Sequence, residues 1–297
     1  MKINLKVVIG IPAFNEEKNI ASIIIKLKKL HHSLIVCNDG SSDMTSEIAK
    51  DLGTTVIDHP KNLGYGAAIR SIFSKAVDLD YDVLVTFDAD GQHRVSDIQQ
   101  VLQPIINNEA DIVIGSRFYS EKTSKVPKYR EVGIKAITSL TNTTSGKKIS
   151  DAQSGFRAYN KKVLHEIVPS DVGMGVSTEI LIKANKKKFR IAEVPITVLY
   201  ESDTSTHNPA SHGISVLFST MKFISIEHPL GFYGIPGIVF LAIGLFFIVW
   251  TIQGFSETRQ LITNITLIGI GSTILGVVLI TTSIILYTVV SVIRERR

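Results

Sequence analysis

The sequence predicts an α/β domain on a mostly parallel, Rossmann-like sheet with helices on both faces, followed by a two-helix transmembrane hairpin. Three observations predict it. Short β-branched runs alternate with segments of helical apolar spacing through the first two-thirds of the chain. Each early strand ends in polar residues: Asn15 and Glu16, Asn38 and Asp39, Asp88 and Asp90, Ser116 and Arg117. Finally, the last quarter holds two long stretches without a charge.

The elements follow in order. Residues 6 to 11 read as a buried strand ending at Pro12, and Glu16 to Leu30 as an amphipathic helix with Ile20, Ile23, Ile24, Leu27 and Leu30 on one face. Ser33 to Cys37 is a strand, and Asp43 to Leu52 a helix capped by Ser41, Ser42 or Asp43. Thr54 to Ile57, Tyr81 to Phe87 and Ile112 to Gly115 are strands, with helices from Gly64 to Ala76 and Val95 to Ile106 between them. From Glu121 to Asp151 periodicity weakens. Gly155 to Tyr159 returns to the sheet, Val176 to Lys187 is a helix, and Phe189 to Tyr200 is strand-like with Pro195 at a bend or edge.

Ile214 to Ile226 has roughly helical apolar spacing and is read as an amphipathic helix at a membrane surface. Leu230 to Ile252 and Ile265 to Ile293 carry no charge and are long enough to span, since about 20 apolar residues cross a bilayer. Trp250 and Tyr287 sit near the span ends, and Arg294, Arg296 and Arg297 follow the second. By the positive-inside tendency the C-terminus is cytoplasmic, and two spans place the N-terminal domain on the same side. The expected organisation is a cytoplasmic domain over residues 1–212, a juxtamembrane helix over 213–228 and a hairpin over 229–297.

Composition narrows the chemistry. Of 297 residues 44% are hydrophobic, the mean hydropathy is +0.22 and the net charge is +5. A basic balance suits anionic lipid or phosphorylated small molecules. No dense Lys/Arg run with interleaved aromatics occurs, which disfavours nucleic acid. The single cysteine, Cys37, lies in an apolar run and is expected to be buried and inert. MKINLKVVIG lacks a long apolar stretch, so no secretory signal is expected. A homo-oligomer is compatible with the sequence.

The chemistry centres on Asp88-Ala89-Asp90 at a strand end. Residues i and i+2 on an extended chain point to one side, so both carboxylates reach one cation. Mg²⁺ or Mn²⁺ is held by one or two carboxylates plus phosphate oxygens, and Gln92 offers a further oxygen. The alternative is an acidic turn that merely ends a strand.

The words "IPAFNEE" (11–17), "CNDGSSD" (37–43), "KNLGYGAAIR" (61–70), "FDADGQH" (87–93), "GSR" (115–117), "DAQSGFRAY" (151–159) and "AEVPI" (192–196) weigh against that alternative. Together, and in this order, they resemble the inverting family-two glycosyltransferases of the A-type fold, in particular the dolichyl- and polyprenyl-phosphate sugar synthases. The resemblance implies transfer of a sugar from a nucleotide-diphosphate sugar (GDP-mannose, UDP-glucose or UDP-N-acetylglucosamine) to dolichyl or polyprenyl phosphate, with Mg²⁺ or Mn²⁺ at Asp88, Asp90 and Gln92. It further implies that Pro12 and Ala13 lie against the base, Glu16 accepts from ribose hydroxyls and Asp39 accepts from a base N–H. Ala89, Arg117, Arg130 and Arg157 fall at donor or phosphate positions. Asp151 falls where a base would sit for a hydroxyl acceptor, or orients Arg157 or the acceptor. Asn38 replaces the first Asp of many relatives. Gly64, Gly66 and Gly155 permit close approach, and Glu179 and Glu193 match family positions. One departure is plain: "YESDTSTHNPASHG" (200–213) replaces a basic stretch, leaving Ser205, Thr206, His207 and Asn208 to hydrogen-bond, with His207 a candidate phosphate contact. Alternatives are another membrane acceptor such as diacylglycerol, or an inactive scaffold of the same fold.

Overall fold

A computed structural model describes residues 5–119, 134–135, 138, 142, 149–198, 221, 225 and 229–295. The chain divides into two compact units, 1–220 and 221–297.

The first unit is built on β1 (Val7–Ala13), α1 (Glu17–Lys28), β2 (Ser33–Asn38), α2 (Thr45–Asp51), β3 (Thr55–Asp58), α3 (Tyr65–Asp78), β4 (Val83–Thr86), α4 (Ile98–Ile106), β5 (Ile112–Ser116), β6 (Arg157–Asn160), α5 (Lys161–Glu166), α6 (Val176–Lys186) and β7 (Ile191–Pro195). The seven strands order as β3-β2-β1-β4-β6-β5-β7. All pairs are parallel except those of β6, which runs antiparallel between β4 and β5.

Alternation along β1 explains the layers. Val7, Ile9, Ile11 and Ala13 face one core with Ile20, Ile24 and Leu27 of α1 and Ile98 and Val101 of α4. Val8 faces the other, with Ile72 and Phe73 of α3 and Ile180 and Leu181 of α6. Period two on the strands and 3.6 on the helices thus produce two apolar layers around one sheet.

Two local readings are corrected. The first strand continues through Pro12 to Ala13. Gly10 O accepts from Phe87 N at 2.9 Å, so even-numbered residues of β1 face β4. That pairing ends at Gly10 and Thr86, and Pro12 therefore removes no ladder bond. The predicted helix from Val95 begins as a tight 3₁₀ turn, Val95–Asp97, before α4. Pro195 ends β7, the edge strand.

Strand order reverses at β1, whose neighbours are β2 and β4. In open α/β sheets ligands bind outside the carboxyl ends of strands at such a point. Ala13, Asn38, Thr86 and Ser116 are the last residues of β1, β2, β4 and β5, and the words singled out above follow them.

The second unit pairs α7 (Ile235–Thr258) with α8 (Thr263–Glu295). Both helices are long and apolar enough to cross a membrane. Their seam is closed by small residues: a Cβ on Gly276 would stand 2.6 Å from Leu241 N, and one on Gly237 2.8 Å from Ile280 Cγ1. Ser283 Oγ donates to Pro229 O at 3.0 Å, satisfying a carbonyl that precedes the helix. The juxtamembrane segment 213–228 lies outside the described residues except at 221 and 225.

Candidate active site

Asp88 lies two residues past the end of β4, after Phe87, and its two oxygens are held separately. Tyr65 Oη donates to Oδ1 at 3.1 Å, and His93 Nε2 lies 3.3 Å from Oδ2. The His93 ring packs against Phe87 and Phe156, with centroids 5.9 and 5.2 Å away, so it cannot swing out without losing both contacts. Burial pushes the Asp88 carboxyl up, but His93, Tyr65 and Arg117 outweigh it and hold the group below the usual range.

Asp90 differs. Its Oδ1 accepts Gln92 N at 2.9 Å, closing the turn at Gly91. Burial, then the charge of Asp88, raise its carboxyl. Glu16 is raised to about 7 by burial, against the hydrogen bond from Asn19, with Asp90, Asp43 and Asp88 adding to the rise. Three carboxylates therefore lean on one another at the ends of β1 and β4. This donor set fits a hard divalent cation, for which one or two carboxylates completed by substrate phosphates suffice. Asp88 and Asp90 are the residues that would hold it; Gln92 meets them through its backbone N–H, on Asp90 Oδ1.

Glu16 gives a pH-dependent expectation. A carboxyl raised on folding contributes stability that is present below its unfolded value of 4.5 and lost as pH rises through about 7. Cation-free protein should therefore lose stability between pH 5 and pH 8. Glu16→Gln should melt several degrees above wild type at pH 8 and together with it at pH 5, read by thermal unfolding in detergent.

Asp39 follows β2 directly and is buried. Oδ1 accepts Leu63 N at 2.9 Å and faces His59 Nδ1 at 2.7 Å, while Oδ2 accepts Gly64 N at 2.8 Å. A carboxylate has about four lone-pair directions, so three are taken by the chain itself. His59 Nε2 in turn lies 2.8 Å from Ser71 Oγ. Asn38 Nδ2 donates to Asp58 Oδ1 at 2.9 Å, which explains an amide here: an aspartate would set two carboxylates against each other. Cys37 is buried, as expected, and burial pushes its thiol up to about 12. Gly64, at φ +100°, and Gly66 face the backbone carbonyls of Val172 and Asp171, so their close approach is to the protein's own loop. Glu179 holds that loop through Ser170 N and Asp171 N and pairs with Lys183 at 2.5 Å.

Arg117 follows β5. Its Nε donates to Asp151 Oδ2 at 2.7 Å and Nη2 to Oδ1 at 2.8 Å, with Arg117 N also on Oδ2 at 3.2 Å. Asp151 is wholly buried, and Glu193 of β7 fixes its backbone by accepting from Ser150 N and Asp151 N. Burial alone would raise the Asp151 carboxyl; the Arg117 guanidinium reverses that and holds it low. The base reading of Asp151 is corrected on this ground, because a paired, depressed carboxylate is a poor proton acceptor. Asp151 orients Arg117, not Arg157.

Arg157 is corrected as well. It is 1% exposed, and its Nε, Nη1 and Nη2 donate to Ser154 O, Ser177 O and Ala152 O at 2.7 to 2.8 Å. It ties β6 to α6 and offers no nitrogen to a ligand. Arg157→Lys should lower Tm by several degrees and leave the donor KM of the folded fraction unchanged, because an ammonium cannot span three carbonyls.

The Ala89 side chain belongs to the core, so only its backbone can meet a ligand. Pro12 and Ala13 are buried at the end of β1. Phe156 is core, as expected. Arg70 is exposed. Arg130 and His207 lie outside the described residues. Tyr65, His93 and His59 carry the geometry of the site, yet sequence reasoning gave them no role; the only signal was the place of Tyr65 and His93 inside words already noted, and His59 lies in none of them.

With this geometry, solved structures give the fold. Glucosyl-3-phosphoglycerate synthase from Mycobacterium tuberculosis, in complex with Mn²⁺, UDP and glucosyl-3-phosphoglycerate, superposes with a TM-score of 0.60 at 19% identity, covering 74% of this chain and 80% of that one. The fold is that of the A-type glycosyltransferases. The chain belongs to glycosyl transferase family 2, whose model matches residues 8–168, and it is a glycosyltransferase. Among its relatives, the UDP-N-acetylglucosamine–dolichyl-phosphate N-acetylglucosaminyltransferase of Methanococcus voltae is 37% identical over 212 residues, 64% of this chain and 84% of that one. The dolichyl-phosphate hexose transferase of Haloferax volcanii is 30% identical over 221 residues, 74% of this chain and 93% of that one.

Proposed function

We propose that this chain transfers a sugar, with inversion, from a nucleotide-diphosphate sugar to dolichyl or polyprenyl phosphate, giving a lipid-phosphate-linked monosaccharide for glycosylation. One observation carries the reading: the carboxylates of Asp88 and Asp90 and a guanidinium fixed by Asp151 gather at the carboxyl edge of the sheet, in a chain that also holds two helices of membrane-crossing length. The relatives' names support this acceptor class; UDP-N-acetylglucosamine, which the name of the Methanococcus voltae relative carries, is proposed as a donor alongside UDP-glucose and GDP-mannose.

A lipid monophosphate has a second pKa near about 6 and is largely a dianion at neutral pH. Its oxygen attacks the anomeric carbon, the bond to the diphosphate breaks, and no proton has to leave the nucleophile. That agrees with a site in which Asp151 is not a base. Arg117 offers its guanidinium edge to phosphate charge, pre-oriented by a bidentate pair. Arg130 and His207 are proposed as further phosphate contacts. Glu16 is proposed for the ribose, the remaining lone pair of Asp39 for a base N–H, and Pro12 and Ala13 for the base. A divalent cation, Mg²⁺ or Mn²⁺, when bound at Asp88 and Asp90 supplies Lewis-acid neutralisation of the leaving diphosphate. The hairpin keeps the enzyme at the bilayer where a very apolar acceptor stays, with the catalytic unit on the cytoplasmic side.

The acceptor is tested on the product. A sugar on a lipid phosphate should be released by mild acid, because a phosphate is a good leaving group. Label that enters the organic phase and resists mild acid would indicate a glycoside of diacylglycerol type and refute the phosphate acceptor.

A further inference from the structure

The first residue of α3 lies in a word whose glycines are accounted for by loop packing, while its side chain is not. Tyr65 sends its ring against the core beside α3 and its hydroxyl to Asp88 Oδ1 at 3.1 Å. The backbone that carries it is fixed. Asp39 accepts from Leu63 N and Gly64 N immediately before it, and Gly66 N donates to Val172 O at 2.9 Å immediately after. Space around the hydroxyl is closed too: a Cβ on Gly155 would stand 2.5 Å from Tyr65 Oη and 2.8 and 3.0 Å from the two Asp88 oxygens. Thr86 Oγ1 holds that glycine in place by donating to its carbonyl at 2.6 Å.

Asp88 is thus gripped on Oδ1 by Tyr65 and on Oδ2 by His93, and each oxygen keeps a lone pair for something else. Such outer contacts fix the orientation of a ligating carboxylate before the ion arrives, so the ion does not bear the cost of freezing it.

We propose that Tyr65 is a positioning residue: its hydroxyl fixes the Asp88 carboxylate for divalent-cation binding, and the Asp39-held turn at 63–64 sets the hydroxyl in place. This rests on the cation reading of Asp88 and Asp90 given above.

Tyr65→Phe isolates the hydroxyl, since phenylalanine fills the same core space. Full-length protein in detergent would be titrated with Mn²⁺, with and without UDP, and free Mn²⁺ read by its electron paramagnetic resonance signal. The expected result is a Kd for Mn²⁺ raised about tenfold, the lower end of the range for outer-shell partners, with Tm within about 2 °C of wild type, a modest shift for a domain of this size. Turnover should be lost at low Mn²⁺ and restored at high Mn²⁺, which a purely structural defect would not do. An unchanged Kd in the variant would overturn the inference while leaving the cation reading intact. Failure of the wild type to bind Mn²⁺ under either condition would overturn the cation reading, and this inference with it.

Discussion

Asp90→Asn should abolish transfer and yet make the cation-free protein more stable. Asp90 is a buried carboxylate raised by burial and by its neighbour Asp88, a rise that the hydrogen bonds from Gln92 N and from its own backbone N–H do not offset. An asparagine Oδ1 keeps the hydrogen bond from Gln92 N and deletes the charge. A raised carboxyl loses its stabilising contribution as pH climbs through its folded value, so the variant should melt above wild type at pH 7 to 8, with the gap closing toward pH 4. Lewis-acid neutralisation of a leaving diphosphate is worth several kcal/mol. At about 1.4 kcal/mol per tenfold, the rate should fall by about 10³-fold or more. Thermal unfolding and a turnover assay on one preparation check both halves. A structural role for Asp90 would make activity and stability fall together.

The second large effect runs the other way: Asp151→Asn should cost stability as well as activity. Asp151 is wholly buried and accepts from Arg117 N, Nε and Nη2. An amide at this position turns a donor toward a guanidinium that has only donors. Breaking a buried pair from one side costs about 3–5 kcal/mol, which for a domain of this size is a fall in Tm of about 10 °C. Because the folded pKa of Asp151 is depressed, its contribution is present above the unfolded value of 3.8 and is lost only as pH falls through the lower folded value. The difference between variant and wild type should be flat from pH 5 to 8. A bell-shaped rate profile that lost its acidic limb in the variant would restore Asp151 as a base.

Much of this was legible in the sequence for a physical reason. Strands of four to seven residues with polar or charged residues at their ends announce both an α/β sheet and the edge where ligands bind. The pair Asp88 and Asp90 was readable because its spacing is local. Direction within the sheet was not: β6 follows a long excursion after β5, and no periodicity tells a strand which way to run. The short helix α5 was missed, although Asn160 caps it by accepting from Val163 N, a signal the sequence did hold. Arg157 and Arg117 look alike in a motif, and burial alone separates them. One meets backbone carbonyls on every side; the other meets a carboxylate beside an open strand end. Tyr65 on Asp88 and His59 on Asp39 come from 23 and 20 residues away, and only the folded chain brings them there.

Transfer itself tests the central claim most directly. Full-length protein in detergent with Mn²⁺ and short dolichyl phosphate would be given radiolabelled UDP-N-acetylglucosamine, UDP-glucose and GDP-mannose in turn, with Asp90→Asn alongside. Label entering the organic phase with one donor, released by mild acid and absent in the variant, is the predicted result and names the sugar. Failure to pass label from any of the three donors to dolichyl phosphate, by a wild-type protein that binds Mn²⁺ and donor, would contradict the account.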